Sequence, residues 1–239
     1  MSKIAFVAAI HREVKPLVRT WRAVEREHEG RRYKFFENDW AVLVCGGIGA
    51  ERARRATEAI ICLYSPRAVW SVGFAGAVDS ALKVGIGLRP SRVIDAQDGS
   101  SITLAAGEGT LVTCGSVASV RQKRQLGYAY GAQAVDMEAA AVARGAEAKG
   151  VAFAAYKVIS DGSDFAMPSV ERFVGNGDFQ VRAFFTHLLI RPWLWPKVFQ
   201  LARNSSRAAR ALCRWLVQTN LQAESVENKP ADLHPMKRA

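Results

Sequence analysis

The chain has 239 residues, of which 49% are hydrophobic and 23% are charged, so it can bury one sizeable core and is not disordered by composition. Its net charge of +11 would suit nucleic acid or an anionic membrane as a partner. No recognisable nucleic-acid-binding module accompanies the basic residues, however, and we therefore expect no nucleic-acid partner.

Buried strands alternate with helices over most of residues 1–160. In chain order, apolar runs predict strands at 3–9, 33–37, 41–45, 68–73, 90–96, 109–113, 132–135 and 151–159. The helices predicted between them span 11–21, 50–63, 120–128 and 137–149. The fold class that this alternation indicates is α/β, with helices packed around a largely central sheet.

Two loops of small residues follow predicted strands. Residues 46–49 (GGIG) connect a strand to the helix at 50–63, and residues 73–76 (GFAG) end the strand at 68–73. Glycine lets backbone N–H groups approach an anion or a sugar closely. A plain tight turn explains such a loop as well, so the glycines are supporting evidence only.

The sharpest functional signal lies in residues 135–164. The acids Asp136 and Glu138 stand at the start of the helix predicted at 137–149. The buried strand that follows this helix leads into Asp161. In open α/β sheets, ligands bind beyond the carboxyl ends of the strands. We therefore expect carboxylates from two adjacent elements to face one crevice.

The composition changes after the last predicted strand. Residues 181–217 are rich in Trp, Phe, Leu and Arg and contain Pro192 and Pro196, which predicts two or three extra C-terminal helices. These helices either pack on the sheet with their arginines toward solvent or form a basic amphipathic surface that meets a membrane or a lipid-like substrate. We expect one domain over residues 1–218 and a disordered tail over residues 219–239.

Several of these motifs together resemble a known family. The segments VDMEAAAVA and ISDGSD, after a first strand that leads to Glu13, resemble the nucleoside phosphorylase/nucleosidase superfamily, as do CGGIGAERA and SVGFAGAVDSALKVG. Within it, residues 3–164 are most similar to 5′-methylthioadenosine/S-adenosylhomocysteine nucleosidases. The segments RPWLW and LARNSSRAARAL resemble the nucleosidase-like proteins associated with hopanoid lipid biosynthesis. The resemblance implies a three-layer α/β/α sandwich with a mixed central sheet.

The acids of these motifs suit the cleavage of an N-glycosidic bond to adenine. The purine needs a proton donor, because a neutral base leaves better than an anion, and the sugar needs carboxylate help as it becomes oxocarbenium-like. By resemblance, Asp161 would be the general acid that protonates N7 of the purine, and Glu13 would activate water. The residues that the resemblance places around the substrate are Glu138, Met137, Ser160, Ala75, Gly76 and Phe74.

The resemblance also implies a separate role for each of these neighbours. Glu138 would bind the ribose hydroxyls, the Met137 side chain would pack against the sugar, and Ser160 would orient the general acid. Residues 75–76 would line the anomeric region. Phe74 stands where those enzymes usually have a small or hydroxylated residue, so it would narrow the nucleophile site or stack on the ligand. Each acid also has a structural explanation, as a turn cap or as the partner of a helix dipole.

We predict an enzyme that hydrolyses a 5′-modified adenosine, either of the methylthioadenosine/adenosylhomocysteine type or adenosylhopane, and releases adenine without a metal or an organic cofactor. Four widely spaced cysteines with no CxxC pair fit a protein without a metal site and a cytoplasmic location. The resemblance also implies a homodimer. In the lipid-substrate alternative, residues 181–217 would contact a membrane peripherally.

Two other functions stay open. A phosphorylase would use phosphate in place of water, although the sequence offers no convincing set of arginines to hold it. A non-catalytic protein would bind a membrane or nucleic acid through the basic residues 191–216. Such a protein would have no reason to keep the three acids Glu13, Glu138 and Asp161, so we favour the hydrolase.

Overall fold

The structure, a computed structural model, describes residues 2–166, 174–175, 178–179 and 195–227. The strands in these residues are β1 (Ile4–Ala8), β2 (Arg22–His28), β3 (Arg31–Glu37), β4 (Ala41–Cys45), β5 (Ala68–Ala77), β6 (Gly87–Leu88), β7 (Arg92–Asp95), β8 (Ser101–Thr103), β9 (Thr110–Thr113), β10 (Ala134–Asp136), β11 (Ala152–Asp161), β12 (Val174–Gly175) and β13 (Asp178–Phe179). The helices are α1 (His11–Val18), α2 (Ala50–Tyr64), α3 (Val120–Tyr130), α4 (Ala139–Glu147) and α5 (Trp195–Glu227).

Strand β1 has a hydrophobic core on each of its faces. Its side chains alternate, so Ile4, Phe6 and Ala8 join the cluster beneath α1 and α5. Ala5 and Val7 join the cluster beneath α2 and α4 on the other face. All five are at most 3% exposed, as expected for a central strand between two helix layers. The predicted α/β/α sandwich is confirmed.

Strand β5 is the branch point of the sheet. Eleven strands of the described chain form one mixed sheet in the order β2-β3-β4-β1-β5-β10-β9-β7-β8, and β11 pairs with both β5 and β6. On one edge of β5, parallel pairing with β1 stops at Ser71 and antiparallel pairing with β10 begins at Gly76. On the other edge, β11 runs parallel to β5 as far as Gly76. Residues 72–75 therefore lie where β1 and β10 diverge, and a crevice opens there.

Several stretches of the sheet differ from the sequence prediction, among them residues 73–76 and the strands β2, β6 and β8. Residues 73–76, predicted as a loop, belong to β5, because their pairing with β11 keeps them extended. β2 has no counterpart in the prediction, since most of its side chains are charged and exposed. It lies at the edge of the sheet, where a strand buries little apolar surface and leaves no apolar run in the sequence.

Helix α5 packs on β11 and α1, on one face of the sheet. Its residues Ala208, Leu212 and Leu216 are buried at intervals of four and so lie on one side of the helix. The exposed arginines of α5 are Arg203, Arg207, Arg210 and Arg214. This is the arrangement of the first sequence alternative, in which the helix covers the sheet and the arginines face solvent. Contact with a membrane stays a prediction.

The bounds of α5 also differ from the predicted C-terminal region. The helix continues to Glu227, so residues 219–227, predicted as part of the tail, are helical. Pro196 is its second residue, a position where proline loses no hydrogen bond. Residues 181–194 and 228–239 lie outside the described residues. None of the described helices is both long and apolar enough to cross a membrane.

Candidate active site

A cavity of about 210 Å³ opens beside β5, at the place where β1 and β10 diverge. All the residues to which the sequence analysis assigns a role line this cavity: Glu13, Phe74, Ala75, Gly76, Met137, Glu138, Ser160 and Asp161. They come from α1, β5, the start of α4 and the end of β11, which are distant in sequence. The structure thus brings the predicted site together, while the chemical role of each residue stays a proposal.

Glu13 lies in the first turn of α1, and three backbone N–H groups hold its carboxylate. Its Oε2 accepts hydrogen bonds from the N–H groups of Ala9 and Ile10, and its Oε1 accepts one from Phe74, each at 3.1 Å. Burial raises the pKa of Glu13, and the hydrogen bonds oppose this effect without cancelling it. A carboxylate that is fixed in place and has a raised pKa is suited to accept a proton from water.

A buried lysine lies behind the carboxylates of the site. Lys157 Nζ is 2.9 Å from Asp136 Oδ2, and both side chains are at most 2% exposed. Asp136 Oδ2 also accepts a hydrogen bond at 2.9 Å from the N–H of Ala139, the first residue of α4. Burial lowers the pKa of Lys157, but the surrounding carboxylates, Asp136 first among them, outweigh it and raise the pKa overall. The ammonium therefore stays charged.

Glu138 joins the glycine loop at 46–49 to the start of α4. Its Oε1 accepts a hydrogen bond from the N–H of Gly49 at 3.0 Å. Burial, followed by the negative charge of Asp136, raises the pKa of Glu138 to about 7. The carboxylate that would bind the ribose hydroxyls therefore changes its protonation near neutral pH.

A β-bulge brings two consecutive residues to the same cavity. The pairing of β11 with β5 is regular up to Ile159 and shifts before Asp161, which lies opposite Gly76. In a regular strand, consecutive side chains point to opposite faces, and a bulge removes this constraint. Ser160 Oγ donates a hydrogen bond to Asp161 Oδ1 at 2.8 Å and lies 3.4 Å from Ala75 O. The serine hydroxyl thus fixes the orientation of the carboxyl group.

The other oxygen of Asp161 is occupied by a lysine from α3. Lys123 Nζ lies 2.6 Å from Asp161 Oδ2 and also donates a hydrogen bond to Gly162 O at 2.8 Å. The side chains of Lys123 and Asp161 are 3% and 5% exposed. The ion pair is therefore almost completely shielded from solvent beside the cavity.

Neither Lys123 nor Lys157 is predicted from the sequence to belong to the site. Lys157 leaves a signal, because it is a charged residue within the apolar run at 151–159. Lys123 leaves none: it stands beside Arg121 and Arg124, which are exposed, and the three basic residues look alike in a sequence. Only the structure shows that Lys123 points inward while its basic neighbours face solvent.

A second cavity, of about 510 Å³, adjoins the first at Ala9 and Ile10. The cationic residues that line it are Arg31, Arg32, Lys34, Arg52 and Arg55. Arg55 is in turn paired with Glu51, so part of this positive charge is balanced. A molecule bound at the carboxylates of the first cavity thus has room to extend toward a basic region.

Metal ions and thiols are two other common sources of chemistry in an active site. Among the residues that the structure describes, no group of three or more His, Cys, Asp or Glu is placed to hold a metal ion. Cys45 lies in the wall of the second cavity. Burial, with a smaller contribution from the charge of Glu13, raises the pKa of this thiol to about 12, so it is not ionised at neutral pH.

Comparisons with known proteins agree with this architecture. A family model described as the phosphorylase superfamily matches residues 3–109 and 100–183. A search of the curated proteins finds no match. Futalosine hydrolase of Helicobacter pylori is 17% identical with a TM-score of 0.70, over 92% of this chain and 98% of that chain. The 5′-methylthioadenosine/S-adenosylhomocysteine nucleosidase of H. pylori is 16% identical with a TM-score of 0.70, over the same shares of 92% and 98%.

The corresponding nucleosidase of Colwellia psychrerythraea, solved in complex with adenine, is 23% identical with a TM-score of 0.60, over 68% of this chain and 84% of that chain. At these identities, the solved structures establish the common fold. The family model goes further, because its match spans well over half of the chain. The protein therefore belongs to the phosphorylase superfamily and is a nucleoside-processing enzyme.

Proposed function

We propose that the protein hydrolyses the N-glycosidic bond of a 5′-modified adenosine and releases adenine. One observation carries the proposal: the carboxylates of Glu13, Glu138 and Asp161, from three different elements, line a single cavity. Cleavage of such a bond needs a proton donor at the base, acceptors for the sugar hydroxyls and a base for the nucleophile. Three acids from separate elements can divide these tasks.

Asp161 is the proposed proton donor for N7 of the purine. The hydrogen bond from Ser160 holds its carboxyl group at the wall of the cavity. The apolar wall that would contact the purine ring includes Val117 and Ala118, and Ser116 precedes them. Protonation makes adenine a neutral leaving group, so the bond breaks at a lower cost than it would with an anionic base.

Glu138 and Glu13 are proposed to act on the sugar side. Glu138 would accept hydrogen bonds from the ribose hydroxyls, and Met137 beside it would pack against the ring. Glu13 would take a proton from the water that attacks the anomeric carbon. Residues 75–76 carry little side-chain volume at this point, which leaves space for the water. The backbone N–H of Phe74 is bonded to Glu13, and the Phe74 side chain would limit that space to a small nucleophile.

Water rather than phosphate is the proposed nucleophile. Phosphate in the first cavity would face the carboxylates of Glu13 and Glu138, which repel its negative charge. The lysines nearby already neutralise other acids, Lys123 at Asp161 and Lys157 at Asp136. The alternative of a phosphorylase would require the cations of the second cavity to hold phosphate, and these cations are the one observation in its favour.

The 5′ substituent is proposed to extend past Ile10 into the second cavity. A volume of about 510 Å³ exceeds the needs of a methylthio group. The amino-acid substituent of adenosylhomocysteine would place its carboxylate among the cations, whereas an adenosylhopane would need an apolar surface such as that predicted for residues 181–217. The homodimer, the cytoplasmic location and the peripheral membrane contact stay part of the proposal.

The decisive experiment measures adenine release from methylthioadenosine and from adenosylhomocysteine, first in phosphate-free buffer and then with phosphate. We expect rapid release without phosphate and its loss in Asp161→Asn. Asp164→Asn, which changes an exposed acid three positions further on, is the matched control and should keep the activity. Release that depends on phosphate would establish the phosphorylase instead. If neither compound is cleaved, adenosylhopane is the next substrate, and failure with all three would refute the proposal.

A further inference from the structure

The ion pair between Lys123 and Asp161 conflicts with a simple reading of Asp161 as a proton donor. Asp161 Oδ1 accepts a hydrogen bond from Ser160, and its Oδ2 accepts one from the ammonium group of Lys123 at 2.6 Å. A carboxyl group that accepts at both oxygens, one of them from a cation, is ionised. An ionised carboxylate has no proton to give, so a general acid at this position needs a second group that supplies one.

The fold holds Lys123 in place for this task. It lies in the first turn of α3, where Ser119 and Gln122 cap the helix and the N–H of Lys123 donates to Ser119 O at 2.8 Å. Its ammonium is anchored by Gly162 O as well as by Asp161. Burying such a pair costs desolvation free energy, and a well-packed apolar pair is often as stable. Stability alone therefore does not explain why a lysine stands here.

Lys123 lies beside Gly76 but is not among the residues that line the cavity. A Cβ at this position would lie 2.9 Å from Asp161 Oδ2 and 3.1 Å from Lys123 Nζ, so the ion pair fills the space directly behind this residue. Asp161 lines the cavity, whereas Lys123 reaches it only through the aspartate. A proton that leaves Lys123 toward a bound substrate must therefore pass through the carboxyl group of Asp161.

We propose that Lys123 stores the proton that Asp161 delivers to the leaving purine. The inference rests on the proposed function. As the bond between the anomeric carbon and N9 breaks, its electron pair goes to the purine. N7 then takes a proton from Asp161, which takes one from Lys123. Water adds to the anomeric carbon and gives its proton to Glu13. Neutral adenine leaves, and solvent that enters the cavity later returns the proton of Glu13 to the amine of Lys123 by way of Asp161. Lys123 is a positioning and proton-supplying residue that acts through Asp161.

Leaving groups that differ in their need for a proton test this role. Adenine needs protonation at N7 in order to leave. Cleavage of a 4-nitrophenyl riboside instead releases 4-nitrophenolate, which is stable as an anion and needs no proton. We expect Lys123→Met to lower kcat for the adenosine substrate about 100-fold and to change kcat for the riboside less than about threefold, as for a general acid. Arg124→Met, the exposed neighbour on the same helix, should leave both rates unchanged.

Lys123→Arg separates proton supply from charge. Arginine keeps the positive charge beside Asp161 but does not give up its proton, so adenine release should stay low while riboside cleavage is retained. Full recovery of adenine release in Lys123→Arg would overturn the inference, because charge alone would then suffice. Equal losses on both substrates in Lys123→Met would also overturn it, since that is the result of a structural role. If the wild type cleaves no nucleoside, the proposed function fails first and the inference fails with it.

Discussion

Lys157 Nζ lies 2.9 Å from Asp136 Oδ2, and each of the two side chains is at most 2% exposed to solvent. This pair joins the middle of β11 to the residue that accepts a hydrogen bond from the first N–H of α4. It also places one positive charge among acids, because the charges of Glu138 and Glu13 act on the same ammonium. The pair therefore supports both the packing of the sheet and the electrostatics of the proposed site.

Breaking the ion pair between Lys157 and Asp136 should destabilise the folded protein. We expect Lys157→Met to lower the free energy of unfolding by about 3–5 kcal/mol, because it leaves the buried carboxylate of Asp136 without its partner. Denaturant unfolding at pH 7 measures the change, with the exposed Lys149→Met as control. In the double variant Lys157→Met/Asp136→Asn, the loss should be clearly smaller than the sum of the two single losses. Additive losses would show that the two side chains do not interact.

The protonation of Glu138 should govern substrate binding near neutral pH. Its pKa is raised to about 7, so the carboxylate is protonated at lower pH and accepts hydrogen bonds from the ribose less well. We therefore expect kcat/KM for the adenosine substrate to rise as the pH increases through about 7, since this ratio reports ionisations of the free enzyme. In Glu138→Gln this rise should disappear. An unchanged pH profile in the variant would assign the ionisation to another group.

Glu13→Gln should separate catalysis from binding. Glutamine keeps the shape of the side chain but cannot take a proton from water, so we expect kcat to fall about 10²–10⁴-fold while KM changes little. Steady-state kinetics at saturating substrate measure the effect. Activity close to that of the wild type would exclude Glu13 as the base.

The Glu13→Gln variant should also differ from the wild type in how its stability depends on pH. The raised pKa of Glu13 means that the folded state binds a proton more readily than the unfolded state does. The wild type should therefore lose stability relative to Glu13→Gln as the pH rises above 4.5, the ordinary value of this group. Thermal or denaturant unfolding at several pH values tests the sign. A stability difference that does not vary with pH would contradict the raised pKa.

Gly76→Ala should damage the site through geometry alone. The new methyl group would lie 2.9 Å from Asp161 Oδ2 and 3.1 Å from Lys123 Nζ, and the ion pair would have to move. We expect kcat to fall about 10–100-fold, as for other small displacements of catalytic groups. At Gly115 the added methyl group meets no atom within 4 Å, so Gly115→Ala is the matched control. Equal activities of the two variants would show that the position of the ion pair does not matter.

The acidic residues of the site were predicted from the sequence, whereas its two buried lysines were not. Glu13, Glu138 and Asp161 stand at the ends of elements that local patterns delimit, and the resemblance to a family assigned them to one site. Lys157 was detectable in principle, because a charge within a buried strand needs a partner. Lys123 was not, since only the orientation of α3 against β11 separates it from the exposed arginines beside it.

The amino-acid sequence by itself determined the layers of this protein and the end of the sheet that carries the site. The continuous apolar run in β1 and the near-continuous one in β11 depend only on residues close together in the chain. The tertiary structure alone decided the crevice between β1 and β10, the bulge before Asp161 and the meeting of Lys123 with that acid. These depend on the register between strands far apart in sequence, which no local pattern encodes.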